Sequence, residues 1–123
     1  MLGDAGETLI VTPQNIAEFW NVSTRPLESN GRSLPADQVS KMVNIICRVS
    51  RVEYETESSF TRWRELVERH DVQGVAVHDA RLAAIMLACD VRQILTRNER
   101  DFLRYEVEGI SVLTPQAVVD KSR

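Results

Sequence analysis

The sequence predicts an α/β fold, with a mostly parallel sheet and helices on both of its faces. Three observations carry that expectation. Short runs of β-formers alternate with helical patterns along the chain, and strands separated by helices pair parallel through crossovers. Two apolar runs end in the same helix start, Thr12-Pro13-Gln14 and Thr114-Pro115-Gln116. Between them lies a helix-length stretch, Ala80 to Cys89, that is apolar on nearly every side except Arg81, as a helix buried in a layered fold would be. At 123 residues the chain suits one domain, residues 1–123.

Taken in order, Glu7-Thr8-Leu9-Ile10-Val11-Thr12 is short and rich in β-formers and reads as a buried strand. Thr12 then suits an N-cap and Pro13 the first helical position. The helix carries Ile16, Phe19 and Trp20 on one side and fades near Arg25-Pro26, because proline restricts the residue before it. Residues 26–34 form a loop. A second helix starts near Ser33-Leu34-Pro35, with Val39, Met42, Val43, Ile46 and Val49 at helical spacing. Val52-Glu53-Tyr54-Glu55-Thr56 alternates like an edge strand. Ser58 or Ser59 is expected to cap a third helix, with Phe60, Trp63, Val67 and His70 on its inward stripe. Gly74 breaks the chain before a fourth, buried helix that Asp79 is expected to cap. Gln93-Ile94-Leu95-Thr96 is a strand, residues 97–100 a turn, Asp101 to Tyr105 a short helix, and Gly109 to Thr114 a last strand.

Composition removes several classes of function. With 43% hydrophobic and 27% charged residues the chain is neither disordered nor fibrous. Fifteen basic against 18 acidic residues give a net charge of −3, so any role with nucleic acid must rest on a local site. The longest apolar run, Leu82 to Cys89, falls far short of the roughly 20 residues of a membrane span. The first residues are acidic, unlike a secretory signal, and Cys47 and Cys89 are too few and too far apart for a disulfide framework or zinc knuckle. A reduced, cytoplasmic setting follows as the expectation. Gly31, Gly74 and Gly109 stand in no phosphate-loop spacing, which leaves nucleotide binding as the weaker reading.

In an open parallel sheet, ligands bind beyond the carboxyl ends of the strands. Glu18 in the first helix, Asp79 at the start of the buried helix, and Asn98 and Asp101 after the strand ending at Thr96 could meet at such an edge. Carboxylates gathered together oppose each other's ionisation unless a cation joins them, and Mg2+ or Mn2+ favours their hard oxygens. Each residue also has a simpler use. Asp79 is a good helix cap, Glu18 a solvated helix residue, and Asn98 and Asp101 are turn formers; His78 could be a packing residue, a general base or an RNA contact. Arginines 62, 64, 69, 81, 97, 100 and 104 could contact phosphate or pair with neighbouring glutamates.

The segment Val11 to Pro26, with Ala17-Glu18-Phe19 at its centre, resembles the strand and following helix of PIN domains. It looks most like the VapC-like toxins of VapBC toxin–antitoxin pairs. His78-Asp79-Ala80-Arg81-Leu82-Ala83-Ala84 resembles a second signature of that family, and Leu95-Thr96-Arg97-Asn98-Glu99-Arg100-Asp101-Phe102 a third. The likeness continues through Arg62 to Val67 and Gly109 to Pro115 and covers nearly the whole chain. It implies a PIN-like three-layer α/β/α fold and a Mg2+- or Mn2+-dependent endoribonuclease that cleaves RNA phosphodiesters. Glu18, Asp79 and Asp101 would be the metal ligands. Asn98 stands where many relatives carry aspartate, and Thr96 would help orient the site, with His78 and Arg81 facing substrate. A small antitoxin protein would be the natural partner.

The resemblance starts late. PIN domains open on a strand whose end supplies a first catalytic aspartate, and Asp4, set between glycines, is a poor substitute for it. The acidic site is therefore expected to be one ligand short, with weak or absent activity. The sheet is expected to lack a central strand, a gap to be closed by self-association, strand exchange or a rearranged sheet order. The competing expectation is thus a noncatalytic PIN-derived module that works as a homo-oligomer or binding protein.

Overall fold

The structure, a computed structural model, describes residues 9–96 and 98–114. The chain divides into two compact units, Met1–Tyr54 and Glu55–Arg123.

In the first unit, β1 (Ile10–Val11) runs into α1 (Pro13–Thr24), followed by a 3₁₀ turn (Leu27–Ser29), α2 (Ala36–Val49) and β2 (Arg51–Val52). The junction expected at Thr12 forms. Its hydroxyl accepts from the Asn15 N–H while the Asn15 side chain accepts from the Thr12 N–H, a reciprocal cap with Pro13 at the first helical position. The helix ends at Arg25, before Pro26, as expected. A knot of main-chain bonds fixes the following loop, with Ser33 and Leu34 donating back to Arg25 and Ser23. Gly31 is required here, since a Cβ would collide with the Arg25 carbonyl. In α2, Val39 is fully buried; Met42, Val43 and Ile46 are partly covered, and Val49, at the edge of the stripe, is exposed. Strands β1 and β2 pair parallel, Ile10 against Arg51 and Val11 against Val52. The strand expected over Val52 to Thr56 is therefore corrected to two residues. Its ladder closes where the Glu53 N–H reaches the Val11 carbonyl, and Tyr54 beyond it is exposed.

In the second unit, α3 (Glu57–Arg69) and α4 (Ala76–Ala88) lead to β3 (Gln93–Leu95), α5 (Glu99–Phe102), a 3₁₀ helix (Leu103–Glu108) and β4 (Ser111–Leu113). The cap of α3 is Thr56, not Ser58 or Ser59. Ser59 is the reciprocating third residue, buried against the core. The stripe turned inward against α4 is Ser59, Trp63, Leu66 and His70, with Val67 on its flank. Phe60 lies beyond the stripe's edge and is 51% exposed, stacked on Trp63 at 5.8 Å. Gly74 turns with φ 62°, and α4 begins at Ala76, a turn earlier than expected. Its cap position is Val75, so Asp79 sits within the first turn instead of capping it.

The buried character expected of α4 holds. Ala80, Ala83, Ala84, Met86 and Leu87 join Leu66, Phe102, Tyr105 and Ile110 in one core. The alanines let α3 approach closely, and the Trp63 indole Nε1 donates to the Val77 carbonyl at 2.9 Å. Strands β3 and β4 pair parallel, Gln93 against Ser111 through Leu95 against Leu113. The expected helix over Asp101 to Tyr105 is split into α5 and the 3₁₀ helix, which ends at Gly109 with φ 97°. Mixed α/β structure with parallel strands is thus present, as two two-stranded sheets among the described residues. Asp4, the strand start Glu7-Thr8 and Pro115-Gln116 of the second junction lie outside the described residues. No helix of the described residues is long and apolar enough to cross a membrane.

Candidate functional site

Beyond the carboxyl end of β3 the chain places three of the expected residues within six positions. Thr96 extends the ladder, its N–H donating to the Leu113 carbonyl at 2.9 Å. Its hydroxyl accepts from the Asn98 N–H at 3.0 Å, so Thr96 shapes the turn that opens α5. Asn98 occupies the cap position of α5 without a side-chain capping bond, and its carbonyl accepts from the Asp101 N–H at 3.0 Å. Asp101 is exposed in the first turn.

Asp79 lies in the same unit, half-buried in the first turn of α4. A carboxylate there is favoured in its charged form by the helix dipole. It also acts on Tyr105, which is 1% exposed. Burial raises the Tyr105 phenol above its ordinary 10.0; Arg104 opposes this, and the charges of Asp79 and Glu108 add to it. The packing of α4 and α5 into one core, through Ala80, Ala83 and Phe102, brings the two helices that carry Asp79 and Asp101 together. His78 is exposed.

Of the two uses expected of Arg81, a phosphate contact or a pair with a glutamate, the structure has the second. Its Nε donates to Glu55 Oε1 at 3.1 Å and its Nη2 to Glu55 Oε2 at 3.3 Å, a fork meeting a carboxylate. Glu55 was not among the candidate residues. It lies 26 positions from Arg81, and only the alternating segment after β2 surrounds it in sequence. A second cluster also went unread: Arg69 Nη1 lies 2.7 Å from both Glu108 oxygens, and His70 Nε2 lies 2.9 Å from one of them.

Glu18 belongs to the first unit, exposed on α1, where Gln14 Nε2 donates to its Oε1 at 3.3 Å. That unit also holds an open apolar groove of about 380 Å3, lined by Pro13, Ile16, Trp20, Cys47, Val52 and Tyr54. Cys47 is an exposed thiol, and the Cys89 thiol donates to the Met86 carbonyl at 3.7 Å.

Glu18, Asp79 and Asp101 offer hard oxygens, the donor chemistry of Mg2+ or Mn2+. Among the described residues, no group of three His, Cys, Asp or Glu side chains is gathered to hold a metal ion. No protein-family model and no curated protein matches this chain.

Proposed function

We propose that the chain is a PIN-type, VapC-like endoribonuclease that cleaves RNA phosphodiesters with Mg2+ or Mn2+ in the cytoplasm, under control of a small antitoxin protein. One observation carries the reading. The parallel β3–β4 pair ends in a Thr96-shaped turn that puts Asp101 in the first turn of α5, and α5 shares a core with α4, whose first turn holds Asp79. Open α/β sheets bind ligands beyond the carboxyl ends of their strands, and Asp101 lies just past the end of β3. The quoted resemblance supplies the rest.

In this reading Asp79 and Asp101 would hold the divalent cation, and the resemblance gives Glu18 a ligand's role as well. When bound, it supplies charge neutralisation at the phosphodiester and a more acidic water. The protein's own part is positional. Thr96 fixes the turn before Asp101, Asn98 offers a neutral amide at its mouth, and His78 and Arg81 stand on one face of α4, three residues apart, toward the RNA backbone.

The test is a melting titration with Mn2+, since a ligand that binds only the folded chain raises its melting temperature. Mn2+ is expected to raise the melting temperature of the parent and not of Asp79→Ala, and the parent alone to cleave RNA. Equal shifts in both proteins, or none in either, would sink the metal site.

A second reading, a noncatalytic PIN-derived homo-oligomer, is favoured by the sheets. Among the described residues each has two strands, which leaves edges that a second chain could extend. Light scattering at several concentrations separates the two: a tight oligomer without Mn2+ stabilisation supports the module, and a monomer that Mn2+ stabilises supports the nuclease.

A further inference from the structure

Arg81 is the one charged residue between Ala80 and Cys89, in a helix whose other faces are largely core. A guanidinium on such a helix needs a partner outside it, and Glu55 provides one with matched fork geometry at 3.1 and 3.3 Å. Both side chains remain accessible, 41% for Arg81 and 39% for Glu55, so a solvent-borne anion can reach the same donors. The two oxygens that a guanidinium grips on a carboxylate have close counterparts on a phosphodiester. His78, three residues before Arg81, shares its face of α4 and extends the surface along which a backbone would run.

We propose that Glu55 occupies the phosphate position of Arg81 and must be displaced by an RNA phosphate, so that Glu55 is a built-in competitor for the substrate backbone. The inference rests on the ribonuclease reading above and adds to it a specific phosphate contact and the group that guards it. An exposed ion pair is weak enough to be exchanged, and a polyanion gains from releasing counterions when it takes the arginine over. If the pair served only to tie the segment before α3 to α4, removing its charge would lower stability and leave RNA affinity unmoved.

The experiment measures fluorescence anisotropy of a labelled single-stranded oligoribonucleotide in EDTA, which prevents metal-dependent cleavage, over a series of NaCl concentrations. The proteins are the full chain, Glu55→Gln, Arg81→Gln and the double variant, each with its melting temperature recorded. Glu55→Gln is expected to bind about two- to fivefold tighter, the range an exposed ion pair supports. Arg81→Gln should bind more weakly and flatten the slope of log affinity against log salt by about 0.7, one lost phosphate on a single strand. In the double variant the gain from Glu55→Gln should vanish, because it acts through Arg81. A gain that persists in the double variant, an unchanged salt slope in Arg81→Gln, or no RNA binding by either the parent or Glu55→Gln overturns the proposal. Should Arg81→Gln fold poorly, Arg81→Lys keeps the charge and loses the fork; affinity equal to the parent would also overturn it. The Mn2+ titration of Asp79→Ala is independent of these measurements. A chain that passes it and fails here keeps the nuclease reading and loses Glu55 as competitor.

Discussion

Removing the charge of Glu108 while keeping its shape should separate the polar cluster of the second unit from the apolar core around it. Glu108 joins the end of the 3₁₀ helix to the end of α3, with Arg69 Nη1 at 2.7 Å from both oxygens and His70 Nε2 at 2.9 Å. Its side chain is 11% exposed, against 13% for His70 and 53% for Arg69. Burial by itself would push the carboxyl up. The hydrogen bonds from Arg69 and His70 and the charges behind them outweigh it, and the group lies below its ordinary 4.5. Hydrogen bonds to charged groups contribute about 1.5–3 kcal/mol. Arg69 recovers hydration when released, so Glu108→Gln should cost about 1.5 kcal/mol at pH 7, the low end of that range. The sign of the pH effect follows from the lowered value. A carboxyl whose folded pKa is depressed stabilises the fold above its ordinary value of 4.5 and loses that contribution as pH falls through the folded value. Urea unfolding from pH 7 down to pH 3 is the assay. The gap between parent and Glu108→Gln should be full at neutral pH, shrink below about pH 5 and close in stronger acid. Equal stability at pH 7, or a gap constant across the series, would refute the reasoning.

Two further substitutions probe the local structure. Thr12→Ala removes the reciprocal cap with Asn15 and should cost about 1 kcal/mol, while Thr12→Ser should restore most of it; urea midpoints of the three proteins check this. Leu66→Ala opens a hole where α3 meets α4, at a side chain 1% exposed, and should cost about 2–5 kcal/mol by chemical unfolding. A loss below 1 kcal/mol would mean that Leu66 is not at the centre of that contact.

What could be read from the sequence was whatever short-range chemistry dictates. The Thr12-Pro13 junction, the arrest before Pro26, the break at Gly74 and the apolar continuity of α4 each depend on neighbours within a turn, and each is present. The misplacements share one cause. Thr56, Ser58 and Ser59 are all capping residues, and only the position of the core decides that Thr56 takes the cap and Ser59 the third position. The cap lies two or three residues before the expected one, and packing against α4, which no local pattern fixes, buries Leu66 and leaves Phe60 exposed. Asp79 was displaced from the cap in the same way, because Gly74 lets α4 start earlier. At the candidate site, the turn from Thr96 to Asp101 was legible because it is local. The partners of Arg81 and Arg69, at separations of 26 and 39 residues, were not. No spacing rule reaches that far, and the glutamates involved look in sequence like any solvated surface charge.

Those long-range pairs bear on how a chain of net charge −3 could handle a polyanion at all. Arg64, Arg69 and Arg81 each have a glutamate within ion-pair distance, so much of the basic charge on α3 and α4 is already paired. They differ in what it takes to free them. Arg69 is tied to a carboxylate that is nearly buried and also engaged by His70, and its release would leave that carboxylate short of a partner. Arg64 meets Glu68 through a single 3.3 Å contact one turn away, a pair of little energy and little geometric definition. Of these three, Arg81 combines exposure of both partners with a grip on both carboxylate oxygens, the arrangement in which a phosphate can replace a carboxylate without a change in the arginine's own pose. If RNA is the substrate, exchange at Arg81 and a cation at the carboxylates would supply attraction that a net charge of −3 does not, and affinity should depend on few phosphates and fall only gently with salt.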